Sequence, residues 1–226
     1  MKKENLIIAS FLGVALSFSA CESNNALNTE IVAPEVEQAV INEIESTDVS
    51  MQASTFISNP TSITDAEKTG LYLMREEEKM ARDVYSFFYT KFNYRVFGNI
   101  TKSENAHTSA VLRLITYFGL TDPAVATVAV FKDPTLQALY NKFTTEATTV
   151  DQALKTGAFI EEYDIADLKK LIAETQNNDI KLVYGNLLRG SEFHLKAFTG
   201  VLKLRGIVYV PTILTVEEYN IIISKK

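Results

Sequence analysis

The chain has 226 residues, 46% hydrophobic and 22% charged, an ordinary globular composition that suffices for one domain with a substantial core. Its net charge of -6 offers no broad basic surface, which argues against nucleic acid as a partner. One cysteine, Cys21, excludes an intramolecular disulfide framework.

The first 20 residues have the layout of an export signal. Lys2 and Lys3 form a positive n-region, Leu6 to Leu16 an apolar h-region, and Ser17 to Ala20 a small-residue approach to Cys21. Cleavage before Cys21 and lipidation of its thiol, as in bacterial lipoproteins, is the expectation, although Phe18 replaces the usual aliphatic residue. The apolar run is too short to span a membrane comfortably. Glu22 is not the aspartate that marks inner-membrane retention in enteric bacteria, so a cell-envelope address at the outer membrane of a Gram-negative organism is expected. Residues 21–63 are rich in Glu, Asn, Ser and Thr, hold one aromatic, Phe56, and read as a flexible tether.

The domain proper is expected over 64–226, all of it helical. The capping box Thr64-x-x-Glu67 opens a first helix over about 65–92. NYRVFGN reads as a turn, and Thr101 as the start of a second helix closed by Gly119. A long crossover follows, with a short helix from Asp133-Pro134, which has the pattern of an N-cap followed by proline at the first helical position. Thr149-x-x-Gln152 caps the third long helix, Asn177 and Asn178 break it, and a fourth runs from about Asp179 to Leu204. The IVYVPTIL tail, interrupted by Pro211, is expected to be extended cover, and Thr215-x-x-Glu218 starts a last short helix. This is the layout of a ferritin-like four-helix bundle with a long crossover between helices 2 and 3 and a short C-terminal extension.

Each long helix interrupts its apolar stripe with a polar residue. Leu71, Met74, Glu78, Ala81, Tyr85 and Phe88 share one face of the first, and Ile100, Glu104, His107, Val111 and Leu114 one face of the second. Leu154, Ala158, Glu161, Ile165 and Leu168 do so on the third, and Tyr184, Leu187, Ser191, His194 and Phe198 on the fourth. Burying such groups alone is costly, and a metal ion is one reason to tolerate them. Carboxylate oxygens and imidazole nitrogens suit iron and manganese. Glu78, Glu104, His107, Glu161 and His194 are therefore the candidate ligands for one or two ions, with Tyr85 and Tyr184 behind them. Both histidines of the chain fall on inner stripes.

Bland readings stand beside these. Glu104 lies where a capping box with Thr101 would want it. In the EEEK run, Glu76 and Glu77 read as a solvated face. Glu162 points about 100° away from Glu161 and is expected to face solvent. His194 could be a core histidine bonded to Tyr184 or Tyr85.

The segments REEEKMARDVY, SENAH, TGAFIEEYDIADL and DIKLVYGNLLRGSEFHLKAF resemble the bacterial ferritin-like family catalogued as domain of unknown function 2202, in the wider rubrerythrin and ferritin group. The resemblance covers Thr64 to the C-terminus. Glu78-x-x-Ala81-x-x-x-Tyr85 and Glu104-x-x-His107 resemble the first- and second-helix motifs of rubrerythrin-like proteins, which favours Glu78 over Glu77. On the fourth helix Ser191-x-x-His194 stands where that group has Glu-x-x-His, and Glu192 faces away. Asp164, three residues after Glu161, is the candidate to restore the missing carboxylate. A carboxylate-histidine site of this kind supports one-electron oxidation of its metal by O2 or peroxide, so iron with ferroxidase- or peroxidase-type chemistry is the expectation, beside simple metal binding. The rival is a metal-free bundle that serves as an envelope interaction module.

Overall fold

A computed structural model describes Phe56 and residues 63–225, and the readings that concern residues 1–55, among them the signal and Cys21, lie outside the described residues. Among the described residues six helices follow in order: α1 Asp65–Phe92, α2 Arg95–Tyr117, α3 Pro134–Glu146, α4 Val150–Glu174, α5 Asn178–Leu204 and α6 Val216–Ser224. No strand occurs among the described residues, and none of their helices is long and apolar enough to cross a membrane.

Local chemistry sets most boundaries. Thr64 with Glu67, Thr149 with Gln152 and Thr215 with Glu218 form complete capping boxes, so side chains satisfy the first N–H groups of α1, α4 and α6. Asp133 accepts from the Thr135 and Leu136 N–H groups with Pro134 at the first helical position, and Asn177 caps α5 through Asp179 and Ile180. After α2, Gly119 adopts a φ of +66, the left-handed conformation that glycine takes without strain.

One boundary departs from expectation. Only the first two residues of NYRVFGN make the turn: the chain reverses at Asn93, which adopts a φ of 50, and α2 begins at Arg95 without a side-chain cap. Burial supplies what the cap does not, since Val96, Phe97 and Ile100 are all core residues and the Phe97 ring lies 5.4 Å from Phe88 and 5.7 Å from Phe198. Gly98, which suggested a turn, sits inside the helix because a Cβ there would meet the Tyr89 ring at 3.0 Å.

The long helices α1, α2, α4 and α5 form a four-helix bundle whose neighbours all run antiparallel. Glu78 meets His107 while Phe88 meets Phe97, so α1 opposes α2. Tyr85 meets Glu161 while Gly70 meets Leu171, so α1 opposes α4. Ser103 meets His194 while His107 meets Gly190, and Asp164 meets Ser191 while Gly157 meets Phe198, so α5 opposes both α2 and α4. The chain order is therefore up, down, down, up, and the connection from α2 to α4 must travel the length of the bundle.

That connection carries α3 and explains why the EEEK run is not a solvated face. Glu76 accepts the Lys132 and Asp133 N–H groups at 2.8 Å, and Lys79 donates to Asp83 at 2.9 Å and to the Thr127 and Val130 carbonyls at 3.1 Å. Glu76 and Lys79 are buried under the crossover, and Glu77 is buried on the side facing α4. Glu162 likewise corrects its expectation, because it is fully buried. Its carboxylate accepts the Thr212, Ile213 and Leu214 N–H groups and the Tyr209 hydroxyl, which fixes the extended tail across α4. The Phe56 ring packs tilted against Tyr117 with centroids 5.0 Å apart, so the tether's one aromatic docks on the bundle.

The core is split. One apolar cluster gathers Tyr85, Phe88, Phe97, Leu154 and Phe198, with α3 and α6 against it; the other gathers Leu71, Met74, Leu114, Leu168, Tyr184 and Leu187. Between them, at Glu78, Glu104, His107, Glu161 and His194, lies a dry polar layer.

Candidate metal centre

The layer is built from all four long helices. Glu78, Glu104, His107, Glu161 and His194 are each 0–1% exposed. The carboxylate of Glu104 is central: its Oε2 lies 3.1 Å from His107 Nδ1 and its Oε1 2.8 Å from His194 Nδ1. Glu78 Oε2 is 3.0 Å from His107 Nδ1, and Glu161 Oε2 is 3.4 Å from His194 Nδ1. The two imidazole rings stack with centroids 5.2 Å apart. There are thus two halves, each with one imidazole and one carboxylate of its own, and Glu104 is shared between them.

The rest of the layer orients these groups. His194 Nε2 lies 2.8 Å from Ser103 Oγ, not against Tyr184 or Tyr85 as a simple core histidine would. Tyr85 donates to Glu161 Oε1 at 2.6 Å, and Ser191 donates to Asp164. Gly190 admits the His107 ring, for a Cβ there would stand 2.5 Å from Nε2. Tyr184 lies elsewhere, between Gly70 and the Glu77 side of α1, and makes no hydrogen bond to the five. Glu192 also lies elsewhere, paired with Lys225. The capping-box reading of Glu104 fails because α2 starts six residues before Thr101, whose hydroxyl bonds the Phe97 carbonyl instead.

Electrostatics follow from crowding acids in a dry layer. Burial pushes the Glu78 carboxyl up to about 8, even with His107 opposing. Burial likewise raises Glu161, and it raises Asp164 further with the help of Glu78 and Glu161. Burial favours neutral imidazoles, yet the carboxylates outweigh it and lift His107 well above its ordinary value and His194 to about 9. For Glu104 the two histidines overcome burial and hold it far below the usual carboxylate range. Without a cation the layer stores protons as a group.

The donor set fits a metal ion. Glu78 Oε1, Glu104 Oε2 and His194 Nδ1 are buried and lack an aligned hydrogen-bond partner, whereas His107 Nδ1 already bonds Glu78 Oε2 and its unpartnered Nε2 lies against Gly190. His194 Nδ1 lies 2.8 Å from a Glu104 oxygen without the alignment of a good hydrogen bond. One ligand atom each from Glu104, His107 and His194 falls within 4.8 Å of the others. Sequence reasoning missed Ser103 and Gly190. Small residues on an inner stripe were the only signal for them.

Comparison with known proteins agrees on kinship and is silent on activity. The family model described as uncharacterized protein domain (DUF2202) matches residues 67–226. The uncharacterized protein MJ0754 of Methanocaldococcus jannaschii is 44% identical over 164 residues, 72% of this chain and 89% of that protein. A crystal structure of the hypothetical protein MJ0754 from Methanococcus jannaschii superposes with a TM-score of 0.74 at 42% identity, covering 76% of this chain and 99% of that one.

Proposed function

The chain belongs to the DUF2202 family, and from that premise we propose that it is an envelope-anchored, ferritin-like protein that binds iron in the Glu78, Glu104, His107, Glu161 and His194 layer. The observation that carries this reading is the shared Glu104 carboxylate, one oxygen beside each histidine, with ligand atoms in both halves left without hydrogen bonds. The up, down, down, up order with one long crossover, which is the ferritin-like connection, supports it. So does the donor chemistry, for oxygen and imidazole ligands suit iron and manganese.

In this reading His107 and Glu78 would hold one ion and His194 and Glu161 another, with a Glu104 oxygen within reach of each half. A bound iron pair supplies one-electron chemistry toward O2 or peroxide. The chain's own contribution is positional. Ser103 at Nε2 fixes the His194 ring so that Nδ1 faces inward, and Tyr85 holds Glu161 by donating to the oxygen turned away from His194. The apolar clusters above and below keep water out of the layer. Asp164, bonded to Ser191, stands beside the ligands as a fourth inward carboxylate and makes up in part for the glutamate that α5 lacks. The anchor is a lipid on Cys21, a reading supported by the h-region and the small residues before it.

Thermal unfolding under anaerobic conditions tests the site. Ferrous iron or manganese should raise the melting temperature, by a free energy of about 2.7 kcal/mol at a hundredfold excess over the dissociation constant. His107→Ala and Glu161→Ala should remove most of that rise. A melting temperature unmoved by any divalent metal would favour the interaction-module reading instead.

A further inference from the structure

Beside the metal layer, and absorbed by none of its roles, is Glu77. It is 3% exposed, and neither of its carboxylate oxygens finds a hydrogen-bond donor. It faces α4, where the Asp167 carboxylate lies within hydrogen-bonding reach and Asp164 is close behind. Two carboxylates brought face to face must share a proton or a cation, and although Lys170 acts on Asp167, neither Glu77 oxygen has a donor of its own. On the other side the Tyr184 hydroxyl, 1% exposed and also without a partner, borders the same carboxylate. A buried acid would normally be expected to acquire an arginine, a lysine or backbone N–H groups, as Glu76 and Glu162 elsewhere in the bundle have done.

Position gives this group a direction. Asp167 is only partly buried, Glu77 is buried, and Asp164, buried and bonded to Ser191, stands in the field of Glu78, Glu104 and Glu161. The acids thus form a series from the surface of the α1/α4 seam to the histidine layer. Apolar clusters close the layer at both ends, so an approach from solvent runs through a seam between helices.

We propose that Glu77 and Asp167 form a transit site for a hydrated divalent cation, which Asp164 passes on to the histidine layer. The proposal rests on the metal-binding reading of that layer and adds the route by which it fills. Two carboxylates and no imidazole hold a hard divalent ion loosely, leaving it most of its water, and this suits a way station more than a resting place. A negatively lined path between low-dielectric walls concentrates cations and speeds their entry.

Cobalt(II) serves as the probe, because its visible absorption reports histidine and carboxylate ligation without turnover. The full chain is stripped with chelator, mixed rapidly with cobalt(II), and followed to completion. Glu77→Gln should slow loading about tenfold or more, the low end of what electrostatic focusing supplies, while the final absorbance stays that of the unaltered protein. Asp167→Asn, at a partly exposed position that tolerates change, should slow it in the same sense even if Glu77→Gln folds poorly. Glu146→Gln, which makes the same change in net charge at an exposed site on α3, should leave the rate alone.

Unchanged loading in both seam variants, or equal slowing in Glu146→Gln, overturns the transit site and leaves the metal layer standing. A reduced final absorbance in Asp167→Asn also overturns it, since that would make the acid part of the resting site. If the unaltered chain takes up no cobalt, the reading of the layer itself fails, and the transit site with it.

Discussion

Gly190→Ala is the sharpest perturbation of the polar layer, because α5 contains its own controls. In an exposed helix interior, replacing glycine by alanine stabilises by about 1 kcal/mol, since alanine surrenders less backbone entropy. Gly185 and Gly200, on the same helix, have nothing within 4 Å of where a Cβ would stand and should show that gain. At Gly190 the new methyl would stand 2.5 Å from His107 Nε2 and 2.7 Å from Cε1. The His107 ring cannot easily yield, being fully buried with Nδ1 between Glu78 at 3.0 Å and Glu104 at 3.1 Å. Overpacking of this kind costs about 1–3 kcal/mol. Gly190→Ala should therefore fall about 1–3 kcal/mol below the gain of Gly185→Ala and Gly200→Ala, and lose metal-dependent stabilisation as His107 is pushed aside. Urea unfolding of the three variants, with and without manganese, measures both effects. A Gly190→Ala protein as stable as its two controls, with its metal response intact, would refute the packing assigned to His107.

Three further outcomes are expected. Glu162→Ala removes the acceptor for the Thr212, Ile213 and Leu214 N–H groups; it should cost about 1.5–3 kcal/mol and speed amide exchange at those three residues, and unchanged exchange there would contradict the tail's attachment. In the metal-free protein, Glu78 at about 8 and His194 at about 9 sit above their ordinary values of 4.5 and 6.5, so the folded state holds extra protons. Their stabilisation is complete below the unfolded values and is lost as pH rises through the folded ones, so metal-free stability should decline from roughly pH 5 to 9 while the metal-induced shift grows; melts with and without manganese at pH 6.0 and 8.5 test this, and a larger shift at pH 6.0 would contradict it. Cys21→Ser should move the protein from the membrane fraction or block its processing, with unchanged fractionation and mass contradicting the lipid anchor.

The helices and the inward phase of the five polar residues were legible because they are local: capping boxes at Thr64, Thr149 and Thr215 and stripes with a 3.6-residue period need no tertiary information. What escaped depended on segments far apart in the chain. Glu76 and Lys79 look solvent-facing until a crossover more than forty residues downstream lies on them, and Glu162 until the tail wraps around it. The start of α2 was misplaced because Gly98 looks like a turn until the Tyr89 ring is seen against it. Asn93, which caps α1 in the left-handed conformation, and Tyr94 open the NYRVFGN segment and make the actual reversal. At the site, the ligand-bearing positions could be read, but the partners that aim them could not. A serine such as Ser103 on an inner stripe gives no hint that it will bond an imidazole on another helix.

Whether Glu104 joins two half-sites is tested most directly by counting metal. The full chain, purified without chelators and equilibrated anaerobically with ferrous iron, is analysed for iron per chain by mass spectrometry alongside His194→Ala and Glu104→Ala. The shared-carboxylate geometry predicts two ions in the unaltered protein, one when His194 is removed, and little of either when Glu104 is lost. An iron content that does not fall in His194→Ala, or a protein that binds no iron at all, would contradict it.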